Sequence, residues 1–309
     1  MKRYKLIAMT AVMAVIAQFL PVKAFAFSAE GYEWEIISDH EVRCDGFVWG
    51  KSQAIARIPA TVKNYKGTEY TCTYIYNLNY DDVIEEIYVP STVKELQDGV
   101  FAYNHNLREI HFPNDIQLKR LPLEMFVNCT SLKELTFPNI VDPYVAVPTV
   151  TIPQAICQNC QSLEKIIIPY TQVSKIQDYA FGKCSNLKDL YIYSVIPPEI
   201  SEYAFDELTY YGAPAKIAKE KRAVTLHVPA ESLDAYKASA WSEYFTEIVV
   251  APENPEEAAI EEITVDNNGL NRVKYYTVDG HIVDSPVNGH IYIKTDGCNT
   301  TKILYTDGN

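Results

Sequence analysis

The stretch NCTSLKELTFP, residues 128–138, is one copy of a phrase that the chain keeps returning to. NHNLREIHFP precedes it, and NCQSLEKIIIP and KCSNLKDLYIY follow. The leucines that open the units, Leu107, Leu132, Leu163 and Leu187, stand 25, 31 and 24 residues apart. An earlier unit, VIEEIYVP, starts at Val83; a later one, TLHVP, ends at Pro229; the first trace is ARIP at Ala56 to Pro59. The long step carries extra residues, NIVDPYVAVPTV, at Asn139 to Val150. A period in the twenties built round one short strand constrains the fold strongly. No single unit can bury its own apolar groups, so the units must stack and share a continuous core.

A second landmark follows each strand. VKELQDGVF, LKRLPLEMF, SKIQDYAF and PEISEYAF end at Phe101, Phe126, Phe181 and Phe205, and in QAICQNC the Phe place falls on Ile156. Leu132, Leu135 and Phe137 should point inward from one short strand, with Phe126 closing the far side of the coil. Cys129, Cys160 and Cys184 each stand three residues before a unit leucine, and Asn104 holds that place one unit earlier. A residue that recurs in phase with the period is a packing position, so these cysteines are expected to form a ladder and not a metal site.

The pattern L-x-x-I-x-I-P, then I-x-x-x-A-F, then C-x-x-L resembles the BspA-like leucine-rich repeats found in exported proteins of Bacteroides and relatives. The resemblance runs from about Ile55 to Thr246. IARIPATVKNYKGTEYTCTYI is similar to that family's first unit, a strand, an I-P turn and a hairpin with NYKG at its tip. LHVPAESLDAYKASAWSEYF is similar to its last, with a short helix in ESLDAYKAS and Trp241 plugging the final coil. The long loop at 139–150 and the insertion LTYYGAPAKIAKEKRA depart from the pattern. The resemblance implies a non-enzymatic protein that adheres to host, matrix or bacterial proteins.

The expected fold is a β-rich leucine-rich repeat solenoid, with short parallel strands and an irregular or short-helical convex side, plus a small antiparallel C-terminal β module. The ends qualify this. MKRYK, the apolar run LIAMTAVMAVIAQFL and the small-residue close at Ala24 and Ala26 have the order of a secretory signal peptide. Residues 1–26 are therefore expected to be removed after Ala26, leaving the solenoid with its capping units at 27–250. No membrane span is expected once the signal is cleaved. With the first cysteine at Cys44, a lipid-anchored N-terminus is not expected. APENPEEAA opens a linker at 251–262. Residues 263–309 carry Asp279-Gly280, Asn288-Gly289 and Asp296-Gly297 between apolar alternations, which predicts three or four hairpin strands. This tail loosely resembles a type IX secretion sorting domain in its Y-x-x-x-G-x-x-V and G-x-Y-x-x-x phrases, and a sorting role or a stabilising one stays open. The expected location is the cell surface or the medium, with the periplasm as a further address.

The chemistry expected of the chain is recognition. The net charge of -13 argues against nucleic acid, whose phosphates call for Lys and Arg. The histidines show no zinc spacing, and no nucleophile elbow or phosphate loop occurs. No cofactor or metal is therefore expected, and no enzyme activity. Seven cysteines leave at least one thiol unpaired even in an oxidising compartment. Cys44 and Cys72 are candidates to pair across the first unit; Cys157-Gln-Asn-Cys160 reads as a structural disulfide or two packed thiols, since no helix N-terminus is there to activate it. Between the inward residues, two columns should face out. One runs Arg57, Tyr88, His111, Thr136, Ile167, Tyr191, His227; its neighbour runs Glu86, Glu109, Glu134, Lys165, Asp189, Thr225. With strands about 5 Å apart, each should form a continuous ribbon. Tyr88, His111, Thr136, Ile167, Tyr191, His227, Glu86, Glu109 and Glu134 are the candidate ligand-binding residues. Their expected ligand is a protein, with host extracellular proteins among the candidates. The 23 tyrosines suit recognition surfaces as well as strands, and the rival reading is a carbohydrate-binding component of a surface glycan system.

Overall fold

Each unit begins with a strand too short to be stable alone, and stacking is what fixes it. The computed structural model describes residues 26–141, 147–206 and 222–253, together with strands at 274–276, 282–283, 290–295 and 300–305. The chain opens with β1 (Ala26–Ala29), β2 (Tyr32–Ile36) and β3 (Glu41–Phe47), an antiparallel ribbon. Next come β4 (Ile55–Arg57) and the hairpin β5 (Thr61–Lys63) with β6 (Glu69–Ile75). The Asn64 side chain closes that hairpin by accepting from the backbone N–H groups of Lys66 and Thr68. The coils follow: β7 (Glu86–Tyr88), β8 (Glu95–Leu96), β9 (Glu109–His111), β10 (Glu134–Thr136), β11 (Val150–Ile152), β12 (Lys165–Ile168), β13 (Val173–Ile176), β14 (Asp189–Ile192), β15 (Glu199–Ile200) and β16 (Arg222–Val228). Helix α1 (Leu233–Lys237) and β17 (Phe245–Val250) complete the stack.

The unit strands pair in parallel as β4-β7-β9 and as β10-β12-β14-β16-β17. On another side of the coil, β11-β13-β15 form a second parallel sheet. The tail strands β18 (Lys274–Tyr276), β19 (Ile282–Val283), β20 (His290–Thr295) and β21 (Thr300–Tyr305) pair antiparallel in the order β19-β18-β20-β21. The three Asp-Gly and Asn-Gly turns, residues 1–25 and most of both the linker and the LTYYGAPAKIAKEKRA insertion lie outside the described residues.

The core is the column that the period requires. Leu107, Leu132, Leu163 and Leu187 are buried in register, as are Ile87, Leu135, Ile166, Leu190 and Leu226. Each such side chain contributes about 1.5–3 kcal/mol by leaving water. Phe101 stacks on Phe126 with centroids 5.6 Å apart, and Phe181 meets Phe205 at 5.6 Å. Between these pairs the ring column is interrupted. The amide of Phe101 bonds to the carbonyl of Met125, and that of Phe126 to the carbonyl of Ile156. Ile156 therefore matches Met125, and the residue in the Phe place is Cys157, one position later than the sequence pattern suggested. A buried isoleucine beside a cysteine imitates the landmark in sequence; the inter-coil hydrogen bonds distinguish them.

Two corners of each coil use left-handed backbone. Glu124, Ala155 and Tyr179 stand two residues before the Phe place, and Tyr103, Asn128, Asn159 and Lys183 two residues after it, all with φ between 52° and 62°. Such a residue costs about 1–2 kcal/mol unless it is glycine. Bonds to the next coil offset this: Tyr103 N–H to Val127 O at 2.7 Å, Asn128 to Gln158 at 2.9 Å and Asn159 to Gly182 at 2.8 Å. Gly182 is required on other grounds, because a Cβ there would lie 2.2 Å from the carbonyl oxygen of Asp206.

The ladder position is filled as the period predicted. Cys129 donates its thiol to Phe101 O at 3.1 Å, Cys160 to Phe126 O at 3.0 Å and Cys184 to Cys157 O at 3.1 Å. Asn104 does more. Its amide donates to Leu78 O at 2.6 Å and Phe101 O at 3.1 Å, and its carbonyl accepts from Asp81 N–H at 2.8 Å. Cys157 and Cys160 are packed free thiols, and Cys44 and Cys72 are free as well. The expected Cys44–Cys72 pairing is thus corrected. Strand register opposes Val42 to Cys72 and Cys44 to Ile75, so the two sulfurs are not cross-strand partners.

Candidate strand-face site

Three-residue strands expose alternate side chains, so β4, β7 and β9 bring Arg57, Tyr88 and His111 side by side, with Glu86 opposite Glu109 in the neighbouring column. The rings form a stack. The Arg57 guanidinium lies 3.8 Å above the Tyr88 ring, and Tyr88 faces His111 with centroids 4.2 Å apart and planes 16° apart. Tyr88 donates its hydroxyl to Glu86 at 3.2 Å. Burial pushes the Tyr88 hydroxyl pKa up, with Glu86 adding to it and Arg57 opposing it.

His111 is the unusual member. Desolvation lowers its pKa although Glu109 and Glu86 pull the other way, so the ring is neutral near pH 7. Its Nε2 is buried without a hydrogen-bond partner. Glu109 Oε2 lies 3.5 Å away, which is proximity and not a formed hydrogen bond. A buried polar atom left unpaired costs about 1–3 kcal/mol.

The second half of the face is built on β10, β12, β14 and β16, which align Thr136, Ile167, Tyr191 and His227. Tyr191 stacks on His227 with centroids 4.0 Å apart and planes 9° apart, and His227 Nε2 bonds to Asp189 at 2.8 Å. Lys165 Nζ reaches Glu134 at 3.3 Å, so the acidic column is partly neutralised here. Thr136 is exposed, while Tyr191 and His227 are half-buried.

Two expectations are corrected. Ile167 is not available: it is 1% exposed and packs in a small apolar cluster with Tyr193, Ala251 and half-buried Tyr191. Strand alternation placed it on the outer face, but chain returning after β17 covers that face at Ala251. The ribbon is also not continuous. β9 and β10 belong to different sheets. The backbone bond between their coils, Lys133 N–H to Arg108 O, is stretched to 3.4 Å, whereas its counterparts Arg108 to Glu85 and Glu164 to Lys133 are 2.8 and 2.7 Å. The face is thus two stacks, Arg57–Tyr88–His111 and Tyr191–His227, with Thr136 between them. The stacking itself was not foreseen; a column of aromatic and imidazole residues at one repeat position is its sequence signal.

Among the described residues no group of acidic, cysteine or histidine side chains is arranged to hold a metal ion, and no helix is long and apolar enough to cross a membrane. No curated protein matches the chain. Several solved structures are similar in part, among them the following three. A leucine-rich repeat protein from Bacteroides capillosus ATCC 29799 is 25% identical, over 38% of this chain and 89% of that one, with a TM-score of 0.33. The T. pallidum leucine-rich repeat protein is 19% identical over 54% and 72%, with a TM-score of 0.40. A leucine-rich repeat protein from Bacteroides ovatus ATCC 8483 is 14% identical over 74% and 77%, with a TM-score of 0.33. The BspA type leucine-rich repeat region matches residues 61–144 and 150–212, in six copies. Those residues, with their stacked coils and in-phase cysteine ladder, form a BspA type leucine-rich repeat region.

Proposed function

We propose that the chain is an exported, non-enzymatic interaction protein that holds a protein ligand on its strand face. The observation that carries this reading is the Arg57–Tyr88–His111 stack on the adjacent strands β4, β7 and β9. Rings already ordered by stacking lose little freedom on binding, which raises affinity for a given contact area. Tyr and Arg are also the residues that most often dominate protein interfaces. Glu86 and Glu109 give the same patch an acidic flank, so a segment with basic residues beside an apolar anchor fits it. A surface location accords with the sequence of residues 1–26. The tail would aid sorting or attachment.

The test is capture by the chain from Phe27 onward of extracellular proteins from host and bacterial sources, run beside a polysaccharide panel. The control is a Tyr88→Ala, His111→Ala, Tyr191→Ala variant. A protein captured by the wild type and lost by the variant is the expected result. Equal capture by both would remove the strand face from the account. Capture of glycan alone would replace the protein reading with the carbohydrate one.

A further inference from the structure

A different aromatic site lies at the edge of the first coils. Trp34 and Trp241 are buried, but Trp49 is 97% exposed. It sits on the turn after β3 and, with the segment 77–81, frames a hollow of about 170 Å³. Tyr80 also lines it, 70% exposed, and its ring is stacked on Tyr103 with centroids 4.4 Å apart and planes 7° apart. Tyr80 and Tyr103 occupy the left-handed corner position that later coils give to Asn128, Asn159 and Lys183, so among the described residues this corner carries a pair of tyrosines only in the first coils. Gly46 lets the two segments approach, since a Cβ there would fall 2.4 Å from Asn77 O.

The polar groups of the hollow are fixed in place. Asp45 is oriented by Arg43, whose Nη2 donates to it at 3.2 Å. Asp81 is held through its backbone N–H by Asn104 and accepts from Val83 N–H at 2.9 Å through Oδ1. The Asn77 side-chain oxygen accepts from the Asn79 N–H at 3.3 Å. Aromatic faces flanked by carboxylate and amide groups match one ligand chemistry well. A sugar ring presents a C–H face to an aromatic ring and hydroxyl groups to carboxylates and amides. The hollow is smaller than the roughly 300–1,000 Å³ of ordinary small-molecule clefts, so it takes one ring and not a folded ligand. Two carboxylates exclude sugars that carry acid or sulfate groups.

We propose that this rim is a glycan subsite for a single neutral pyranose residue, held between Trp49 and Tyr80 and hydrogen-bonded by Asp45, Asp81 and Asn77. It is independent of the strand-face reading. The experiment is affinity electrophoresis of the full chain in mannan, xylan, dextran and soluble chitin oligosaccharides, with heparin as the anionic comparison. Acrylamide quenching of tryptophan fluorescence is measured in parallel, because Trp49 supplies the quenchable signal. At least one neutral glycan should retard the protein and protect Trp49 from quenching. Trp49→Ala and Tyr80→Ala should each weaken retardation by about tenfold, while Trp49→Phe should retain part of it. The strand-face triple variant should bind as wild type. No retardation by any neutral glycan, stronger retardation in heparin, or equal binding by Trp49→Ala would each overturn the proposal. The quenching measurement reads the unmutated protein, so a folding defect in a variant cannot decide the outcome.

Discussion

At the scale of single residues, the ladder position separates scaffold from function. Cys160 has no exposure and its thiol satisfies the carbonyl of Phe126, a buried acceptor of the preceding coil. Replacing it with Val keeps the bulk but removes one of two donors to that carbonyl, which also accepts from the Cys129 N–H at 3.1 Å; the loss should be about 0.5–1.5 kcal/mol in urea unfolding, whereas Cys160→Ser should cost less because a hydroxyl can donate there. Equal losses for Val and Ser would show that the hydrogen bond is unimportant. The same burial acts on ionisation. It raises the thiol pKa of Cys44, Cys129, Cys157 and Cys160, and pushes Cys72 up to about 12. These groups stay protonated in the fold and ionise in the unfolded chain near 9. Their contribution is therefore intact below pH 9 and is lost as pH rises from there through the folded values, at about 1.4 kcal/mol per pH unit for each thiol. Urea midpoints should hold steady to about pH 8.5 and then fall steeply, and a thiol reagent at pH 8 should leave these five cysteines unmodified until denaturant is added. The ladder was legible because Cys129, Cys160 and Cys184 repeat in phase with Leu132, Leu163 and Leu187. The Phe place in that unit was not, because Ile156 and Cys157 are both buried and only the hydrogen bond to Phe126 tells them apart.

At the scale of elements, the ends of the stack carry the burden of closing an open core. Trp241 is buried, donates its indole N–H to Pro198 O at 2.8 Å and stacks on Phe245 with centroids 5.7 Å apart. Tyr236 of α1 donates to Ser194 O at 3.0 Å. Trp241→Ala should cost about 3–5 kcal/mol, as for other large aromatic core residues, read as a shift in urea midpoint. A loss under about 1 kcal/mol would mean that the helix end is not a cap. This cap was readable, since ESLDAYKAS has helical composition and the tryptophan follows at once. The other end was less so. β2 and β3 bury Tyr32, Trp34, Val42 and Cys44 in alternation, yet only a general expectation of an atypical first unit anticipated them. Their period of two spans short segments before the repeat begins, where no phase is available to anchor a register.

At the scale of the whole molecule, stacking of similar coils makes rows of side chains that no single unit could hold. One such row gives Arg57–Tyr88–His111 and Tyr191–His227; another gives Tyr80–Tyr103 beside Trp49. The columns were legible from alternation alone, and Tyr88, His111, Thr136, Tyr191 and His227 fall where alternation placed them. Ile167 did not, because Tyr193 and Ala251 come from chain that is distant in sequence and leave no mark on the β12 pattern. The gap between β9 and β10 was equally invisible, since LREIHFP and LKELTFP read as equivalent units. The most direct test of the strand face as the working surface is the affinity of a captured protein partner for three forms of the chain, measured at low and high salt. The account predicts that Tyr88→Ala, His111→Ala, Tyr191→Ala loses about tenfold or more. Trp49→Ala should keep wild-type affinity, and binding to the wild type should weaken as salt screens Glu86 and Glu109. Affinity that survives the triple substitution, or that is lost with Trp49 instead, would contradict it.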